Sequence, residues 1–347
     1  MNSTKKILNF KVENLESQKR VDQYLAEKLS ESRNQVEKLI TSENIKINQK
    51  IIKKPSFKIK NEDLVEVTIF EKSDIQEGFD KEALNFDIEI LYEDDFLMVL
   101  NKPANLVVHS APSVNEPTLV DWLKSKNISL STINGDERHG IVHRLDKNTT
   151  GAIVIAKDNK THQLLSDQLS NKTMGRFYLA IVNYPLKDHG IVDVPILRNP
   201  TNRLKMTFLN DSIHGRNLKS REAKTYFHKF KTSKETTQNK IDELVICKLF
   251  TGRTHQIRVH LNALNRYVLG DDLYGFKSKD NKIDSIMLHA YLLYFIHPIT
   301  DKKIFVQAPI FDKMSNYLKA KFDFDMETKE NEELLQNTIY KIDEIFS

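Results

Sequence analysis

A nine-residue polar run followed directly by an apolar run constrains the fold more than any other stretch of this chain. Residues 143–151 read His-Arg-Leu-Asp-Lys-Asn-Thr-Thr-Gly, and residues 152–156 read Ala-Ile-Val-Ile-Ala. The apolar segment is typical of a buried strand. The polar groups would therefore lie at the mouth of a rigid element, where functional sites are well positioned. Alternatively, Arg144 and Asp146 form an exposed pair at a turn, which contributes little to stability.

A second run, about a hundred residues later, supports the functional interpretation. Residues 252–261 read Gly-Arg-Thr-His-Gln-Ile-Arg-Val-His-Leu. Together with the run at 143–151, this segment resembles the RluA-type pseudouridine synthase family. Shorter fragments match the family in the same order, so that the resemblance covers roughly residues 85–312: Asn101-Lys102-Pro103, Val107-Val108-His109, Arg176-Phe177-Tyr178-Leu179-Ala180, Asn202-Arg203-Leu204-Lys205-Met206, Gly270-Asp271, Leu273-Tyr274-Gly275, His289-Ala290 and His297-Pro298.

The resemblance implies an enzyme that isomerises uridine in structured RNA to its carbon-linked form, after the base has been flipped out. It also implies the pseudouridine synthase fold, an α+β architecture with a mixed, largely antiparallel central sheet and flanking helices. No cofactor, metal or nucleotide is expected, because the reaction does not oxidise, reduce or hydrolyse anything overall. Large-subunit ribosomal RNA is the expected substrate; small-subunit ribosomal RNA and transfer RNA are the alternatives.

The resemblance places three catalytic residues. Asp146 is implied as the catalytic carboxylate, whether it attacks the ribose–base centre or supports it electrostatically. Arg258 is implied as its ion-pair partner, since a nearby guanidinium lowers the pKa of a buried carboxylate by about 1–3 units. Tyr178 is expected to stack on the base, with its hydroxyl available for proton transfer, although a purely structural core tyrosine is an alternative.

Further residues are expected to contact RNA. Arg144 would reach the RNA backbone or fill the space left by the extruded nucleotide, because a guanidinium pairs with phosphate and stacks on bases. Ile257 or Val259 would form an apolar wall against uracil. Arg203 and Lys205 belong to a basic stretch that resembles one in the family. Target choice is expected to depend on surface loops such as the one at 197–215, which a single sequence does not decode.

The histidines and the fold leave other interpretations open. His255 and His260 could bind a metal, but no acid or cysteine stands at a convincing companion spacing. His143 and His255 could serve a hydrolase or nuclease, which would release shortened RNA. A non-catalytic RNA binder built on the same fold is a further alternative, although the presence of both Asp146 and Arg258 argues against it.

Residues 17–70 are predicted to form a separate small α+β module. The segment resembles the small RNA-binding module first described in a ribosomal small-subunit protein. Its basic residues outnumber its acids eleven to seven over residues 17–64. Such bases, including Arg33, are expected to contact phosphates and to give salt-dependent affinity, with a solvated helical face as the alternative. Two amphipathic helical patterns occupy the first half of the module: Val21, Leu25, Leu29, and then Val36, Leu39, Ile40.

The chain is predicted to have five parts. These are an N-terminal extension (1–16), the RNA-binding module (17–70), a linker (71–84), the catalytic domain (85–312) and a C-terminal helical accessory tail (313–347). Within the catalytic part, strands are predicted at 96–100, 152–156, 175–182, 223–230 and 244–250, and helices at 118–126 and 159–171.

Composition adds limits to this interpretation. The net charge of +4 is unevenly distributed, because residues 321–347 contain eight acids and three bases, which leaves the remaining chain at +9. A basic body suits a polyanionic partner. No apolar run reaches about 18 residues, so no membrane span is expected, and the N-terminus does not resemble a signal peptide. A cytoplasmic monomer is therefore expected, with Cys247 as a small buried hydrophobe.

Overall fold

The structure is a computed structural model of the chain, and it describes residues 4–13, 18–29, 33–71, 84, 86–110, 114–133, 139–209, 219–234, 241–275 and 283–346. The chain divides into two compact units. The first unit comprises Met1–Asn85 and Ser131–His139, and the second comprises Phe86–Leu130 and Gly140–Ser347.

The first unit combines helices with short antiparallel strands, as the expected small α+β module requires. Its elements are β1 (Thr4–Lys11), β2 (Lys19–Arg20), α1 (Val21–Leu29), α2 (Arg33–Thr41), β3 (Ile45–Ile47), β4 (Lys50–Ile51), β5 (Lys58–Ile59) and β6 (Leu64–Glu71). Strands β1, β6, β3 and β4 pair in that order, and β2 pairs with β5. Four of the six periodic apolar positions of the two helices are buried in the core of the unit, and Leu29 and Leu39 pack against it partly exposed: Val21, Leu25, Val36 and Ile40 are the buried four.

The N-terminal segment belongs to this sheet. Strand β1 runs antiparallel to β6, from Thr4 opposite Glu71 to Lys11 opposite Leu64. Val12, which follows β1, is fully buried in the core of the unit. Residues 4–12 are therefore an edge strand and its exit rather than part of the extension predicted at 1–16. The sequence did not indicate this strand, because its place depends on pairing with β6 more than fifty residues later.

The second unit is built on one large sheet. Its strands are β7 (Glu89–Glu93), β8 (Leu97–Lys102), β9 (Thr150–Ala156), β10 (Gly175–Asn183), β11 (Gly190–Asp193), β14 (Lys224–Thr232), β15 (Asp242–Leu249), β16 (Leu288–Ile296) and β17 (Lys303–Gln307), with β12 (Ile196–Arg198) and β13 (Met206–Phe208) in a separate hairpin. The sheet order is β11-β14-β15-β10-β16-β9-β8-β7, and β17 also pairs with β16. Among the described strands only β16 and β9 run parallel, which confirms the mixed, largely antiparallel sheet.

Helices complete the second unit: α3 (Leu119–Ser125), α4 (Asn159–Ser170), α5 (Gln256–Ala263), α6 (Asp312–Tyr317) with a π-helical continuation at Leu318–Phe322, and α7 (Lys329–Ile345). Helix α3 begins with a capping box between Thr118 and Asp121. Helix α4 begins at Asp158, whose carboxylate accepts the backbone N–H of Thr161. Both helices lie where the sequence predicts them. None of the helices in the described part of the chain has the length and apolar character needed to cross a membrane.

The C-terminal segment packs into the main core of the second unit. Its last helix, α7, is fixed to the sheet through Asp343, which forms a buried ion pair with Lys248 of β15. The hydroxyl of Tyr294 in β16 donates a hydrogen bond of 2.6 Å to the same carboxylate. A broken buried pair is strongly destabilising, so these contacts specify how the tail docks. The apolar face of α7 is buried beside them: Leu335, Ile339 and Ile342.

Gly151 stands at the parallel contact between β9 and β16. Its φ is +110°, and it lies opposite Ala290 in the register of these strands. A Cβ added to Gly151 would lie 2.3 Å from the carbonyl oxygen of Ala290. Because the colliding atom belongs to the backbone of a central strand, no side-chain rotation relieves the contact. Glycine is therefore required at the position where the polar run enters the sheet.

We expect Gly151→Ala to lower the free energy of unfolding by about 3 kcal/mol or more, because it combines a strained backbone with a backbone clash. Denaturant unfolding followed by circular dichroism measures this decrease. Gly190→Ala is the matched control, since no atom lies within 4 Å of its added Cβ. If both substitutions lowered the free energy of unfolding by the same small amount, this would contradict the conclusion that position 151 requires glycine.

Candidate active site

An open cleft lies in the second unit, and its empty volume is about 460 Å³ when the open solvent within it is included. Its walls come from the loop ahead of β9, from β10, from the end of β15 and from the loop that leads into α5. Asp146, Tyr178, Ile257 and Arg258 all line this cleft. The fold thus brings together the two sequence runs, although Asp146 and Arg258 are 112 positions apart in the chain.

Arg258 forms a buried, bidentate ion pair with Asp271. Its Nε and Nη2 donate to the two carboxylate oxygens of Asp271 at 2.7 and 2.8 Å. The side chains of Arg258 and Asp271 are 9% and 1% exposed. Burial disfavours the charge, but the hydrogen bonds and negative charge of Asp271, together with the charge of Asp146, raise the pKa of Arg258. The guanidinium is therefore charged and held in a fixed plane.

The remaining side of this guanidinium faces Asp146. Nη1 of Arg258 donates to Oδ2 of Asp146 at 3.3 Å, and the Asp146 side chain is 17% exposed. This contact is longer than the two that Arg258 makes with Asp271. The guanidinium and the carboxylate attract each other across this contact, and the partial exposure of Asp146 leaves its oxygens open to a ligand in the cleft.

Asp271 is the main site residue that the sequence did not reveal, because the family resemblance pairs Arg258 with Asp146 alone. Its neighbour Gly270 has a φ of +77°, and a Cβ there would lie 2.1 Å from the carbonyl oxygen of Ser285. The turn therefore requires glycine. The dipeptide Gly270-Asp271 is part of the family resemblance, but nothing local in the sequence indicates that its carboxylate turns towards α5.

Lys102 supports the loop that carries Asp146. The side chain is fully buried, and its Nζ donates to the carbonyl oxygens of Pro103, Leu106 and Lys147 at 2.7, 2.9 and 2.9 Å. Burial lowers the pKa of Lys102 to about 7, while the charge of Asp146 acts in the opposite direction. The three carbonyl acceptors match the three donors of the ammonium form. Lys102 thus holds the backbone next to Asp146 against the end of β8.

Tyr178 forms a wall of the cleft from β10. It is 6% exposed, and burial raises the pKa of Tyr178 to about 12, although the nearby charge of Arg176 opposes the rise. The phenol is therefore neutral and keeps its proton at neutral pH. An aromatic ring that lines a cleft beside a carboxylate can stack on a planar ligand and offer a hydroxyl donor.

His255 lies between Asp146 and the start of α5. Its φ is +57°, its Nδ1 is 2.9 Å from the hydroxyl of Tyr274, and its Nε2 is 4.0 Å from Oδ2 of Asp146. Burial lowers the pKa of His255. The imidazole is therefore neutral at neutral pH, and it contributes a polar wall rather than a charge.

The metal and nuclease interpretations do not fit the described residues. His260 uses both ring nitrogens in the core, with the Thr225 hydroxyl at 2.9 Å and the Val194 carbonyl at 3.0 Å. No cluster of three or more metal-binding side chains is found in the part of the chain that the structure describes. Nε2 of His143 accepts the backbone N–H of Val154 at 3.2 Å, and burial lowers the pKa of His143 to about 3. His143 therefore cannot act with His255 on a ligand in the cleft.

The two apolar candidates of α5 face different surroundings. Ile257 lines the cleft, whereas Val259 is buried in a separate cluster with Ile196 and Ala223. Of the two residues, Ile257 is thus the one that lines the cleft, because the segment is a helix, in which residues two apart face directions about 200° apart.

The basic residues that the sequence predicts to contact RNA do not all lie at the cleft. Arg144 is exposed at the edge of the cleft, where its Nη1 lies 3.3 Å from Nε2 of His109. Arg203 and Lys205 lie between β12 and β13 and do not line the cleft. The side chain of Arg33 lies outside the described part of the structure.

The cleft carries more positive than negative charge. Its arginines are Arg144, Arg176, Arg253 and Arg258, whereas Asp146 is its carboxylate and Asp271 is paired behind it. Together, the four guanidinium groups and the two carboxylates carry a net charge of +2. Such a surplus attracts an anionic ligand into the cleft.

Known proteins resemble this chain along most of its length. A family model described as RNA pseudouridylate synthase matches residues 96–263, and one described as S4 domain matches residues 19–65. The chain is 48% identical over 307 residues to an uncharacterized RNA pseudouridine synthase of Helicobacter pylori strain J99, covering 88% of this chain and 90% of that protein. It is 35% identical over 295 residues to ribosomal large subunit pseudouridine synthase D of Zymomonas mobilis, covering 82% and 88% respectively.

The similarity extends to solved structures. The human protein called RNA pseudouridylate synthase domain containing 1 matches with a TM-score of 0.51 and 22% identity, over 66% of this chain and 87% of that chain. The human protein called RNA pseudouridylate synthase domain containing 4 matches with a TM-score of 0.50 and 24% identity, over 66% and 91%. At these identities the matches support the fold alone.

We expect Asp271→Asn to lower the free energy of unfolding by roughly 3 kcal/mol, because it leaves the buried guanidinium of Arg258 without its bidentate partner. Asp146→Asn should cost less than about 1 kcal/mol, since Arg258 remains paired and Asp146 is partly exposed. Thermal and denaturant unfolding measure both values. Asp272→Asn, at the exposed neighbouring position, serves as control. If Asp146→Asn lowered the free energy of unfolding more than Asp271→Asn, this would contradict the conclusion that Asp271 is the main anchor of Arg258.

Proposed function

This chain belongs to the RNA pseudouridine synthase family, and from that premise we propose that it isomerises uridine in large-subunit ribosomal RNA, with Asp146 as the catalytic carboxylate. The observation that carries the proposal is the contact between Asp146 and Arg258 in a cleft walled by Tyr178 and Ile257. The assignment of RNA binding to the segment 17–70 and of catalysis to the segment 85–312 forms part of this proposal.

The chemistry explains why this set of side chains is suitable. Isomerisation breaks the bond between ribose C1′ and uracil N1 and forms a bond between C1′ and C5. A stacked base cannot enter the cleft, so the target nucleotide is flipped out of its stack. In the proposed mechanism, Asp146 acts at the ribose–base centre while Arg258 pairs with its carboxylate and holds it in position. Atoms are rearranged without overall redox change or hydrolysis, so the reaction itself requires no cofactor.

The other walls of the cleft would hold the base. The ring of Tyr178 would stack on uracil, and Ile257 would pack against it as the apolar residue of the cleft side of α5. The neutral, protonated hydroxyl of Tyr178 is suited to donating a hydrogen bond or a proton. Arg144, exposed at the edge, would contact the RNA backbone or fill the position that the flipped nucleotide has left.

Two observations favour ribosomal RNA. The relative in Zymomonas mobilis carries the name ribosomal large subunit pseudouridine synthase D, and the chain contains an S4 domain. The first unit also presents exposed lysines that have no ion pair among the described residues, and these would contact phosphates: Lys54, Lys58 and Lys60.

We expect the wild-type protein to form pseudouridine in unmodified large-subunit ribosomal RNA in buffer that contains EDTA, and Asp146→Asn to form none. The RNA is digested to nucleosides, and the carbon-linked product is quantified by mass spectrometry. Asp301→Asn, which alters an exposed carboxylate that does not line the cleft, should remain active. Product only in small-subunit or transfer RNA would refute the ribosomal large-subunit assignment. Binding without product, or shortened RNA, would refute the catalytic proposal.

We expect the triple substitution of Lys54, Lys58 and Lys60 by alanine to weaken binding to ribosomal RNA while leaving kcat on a short stem-loop unchanged. The slope of log affinity against log salt should fall by about 0.7–0.9 for each phosphate that the altered module no longer neutralises. Titrations at several potassium chloride concentrations measure this slope. Alanine at three exposed lysines of the second unit, Lys160, Lys302 and Lys341, is the charge-matched control. An equal weakening in both triple variants would argue against a delivery role for the module.

A further inference from the structure

Arg176 is a buried arginine of the cleft to which the described residues offer no ionic partner. It lies in β10 and is 8% exposed. Among the described residues its side chain has no hydrogen bond or ion pair, and its Nε is inaccessible to solvent. Arg258, by contrast, is paired with Asp271 and Asp146. An uncompensated buried charge destabilises a fold, so an unpaired guanidinium in a cleft indicates a partner that arrives with a ligand.

The groups near Arg176 do not neutralise it. Burial lowers the pKa of Arg176, the hydroxyl of Tyr178 has the opposite effect, and the charge of Arg253 lowers the pKa further. His143, another neighbour, is neutral because burial lowers its pKa to about 3. The Tyr178 hydroxyl is protonated at neutral pH, so it provides no full negative charge. The environment therefore leaves a positive charge for an incoming group to balance.

The backbone at Gly252 leaves space for the guanidinium of Arg176. Nη1 of Arg176 lies 2.6 Å from the position that a Cβ on Gly252 would occupy. Gly252 lines the cleft, and its φ is not in the left-handed region. The local backbone conformation does not require glycine at 252, whereas the space occupied by Arg176 does. Any side chain at this position would displace the guanidinium from the cleft wall.

The depth of Arg176 identifies the part of a nucleotide that would meet it. Arg176 and Tyr178 are two residues apart on β10 and line the same cleft, with 8% and 6% exposure. Arg144 is exposed and Arg253 is partly exposed. A flipped nucleotide keeps its phosphates near the mouth of a cleft and inserts its base. The exposed arginines are thus placed for phosphate, and the buried Arg176 is placed for the base that Tyr178 would stack on.

We propose that Arg176 donates hydrogen bonds to a carbonyl oxygen of the flipped uracil and stabilises the negative charge that the ring acquires during isomerisation. The inference rests on the proposed function. When the N1–C1′ bond breaks, its electron pair stays with uracil, and the charge spreads to O2 and O4. After the ring has turned, C5 bonds to C1′ with ring electrons, the C5 proton is lost, and N1 gains a proton. No external oxidant or reductant is needed, and fixed donors in a dry site suit this transient charge.

We expect Arg176→Met to reduce kcat on the order of 100-fold, with KM changed less than roughly three-fold, because the removed interaction acts on charge that develops during the reaction. The melting temperature should stay unchanged or rise, since the substitution removes an unpaired buried charge. Arg176→Lys should recover part of kcat. If Arg176 were purely structural, Arg176→Met would lower the melting temperature, and its kcat per folded molecule would equal that of the wild-type protein.

Gly252→Ala tests the same contact without removing the charge. The added Cβ should displace Nη1 and lower kcat in the same direction as Arg176→Met, while Gly190→Ala leaves kcat unchanged. All variants are assayed as full chains on the shortest stem-loop around a uridine that the wild-type protein converts. Full activity of Gly252→Ala together with full activity of Arg176→Met would overturn the proposal.

Modified substrates separate contact with the base from contact with phosphate. With 5-fluorouridine at the target, the ring carries negative charge more easily, so the deficit of Arg176→Met in single-turnover consumption of the target should shrink. With neutral methylphosphonates on both sides of the target, the deficit should persist. A deficit that vanishes on methylphosphonates and is unchanged by fluorine would assign Arg176 to phosphate and overturn the proposal.

The controls also separate this inference from the proposed function. If the wild-type protein forms no pseudouridine in ribosomal RNA, the proposed function fails, and the inference fails with it. If the wild type is active and Arg176→Met is equally active, the inference alone fails.

Discussion

The cleft depends on one guanidinium that faces two carboxylates of different character. Asp271 is buried and bidentate, so it fixes the position and plane of Arg258. Asp146 is partly exposed and contacts the remaining edge of the same group at 3.3 Å. One carboxylate thus anchors the arginine, and the other is left accessible for chemistry. Lys102 adds a second support, because it binds the backbone beside Asp146 from the end of β8.

The proposed active site also contains a buried charge that lowers the stability of the fold. Arg258 is neutralised by two carboxylates, whereas no carboxylate of the described residues pairs with the buried Arg176. A fold optimised only for stability would replace such a group with an apolar side chain. Gly252 leaves room for the guanidinium at the cleft wall. Preorganised positive charge of this kind is useful where negative charge forms only transiently, because no reorganisation is then needed during the reaction.

Much of the fold was predictable because its signals are local. The apolar run at 152–156 predicted the core of β9, and the helices predicted at 118–126 and 159–171 correspond to α3 and α4. Strand β1 was not predictable in the same way, because its place depends on pairing with β6. The docking of α7 through Asp343 and Lys248 was hidden for the same reason, since a buried ion pair leaves no periodic pattern in either segment.

For the site, the sequence by itself determined the types of side chain and, through the family resemblance, the pairing of Asp146 with Arg258. Only the tertiary structure decided that Asp271 holds Arg258 more closely and that Ile257, rather than Val259, faces the cleft. Local sequence encodes propensity and periodicity, which act over a few residues. Hydrogen bonds between distant segments depend on where the sheet and loops place them, and that placement is settled by packing across the whole unit.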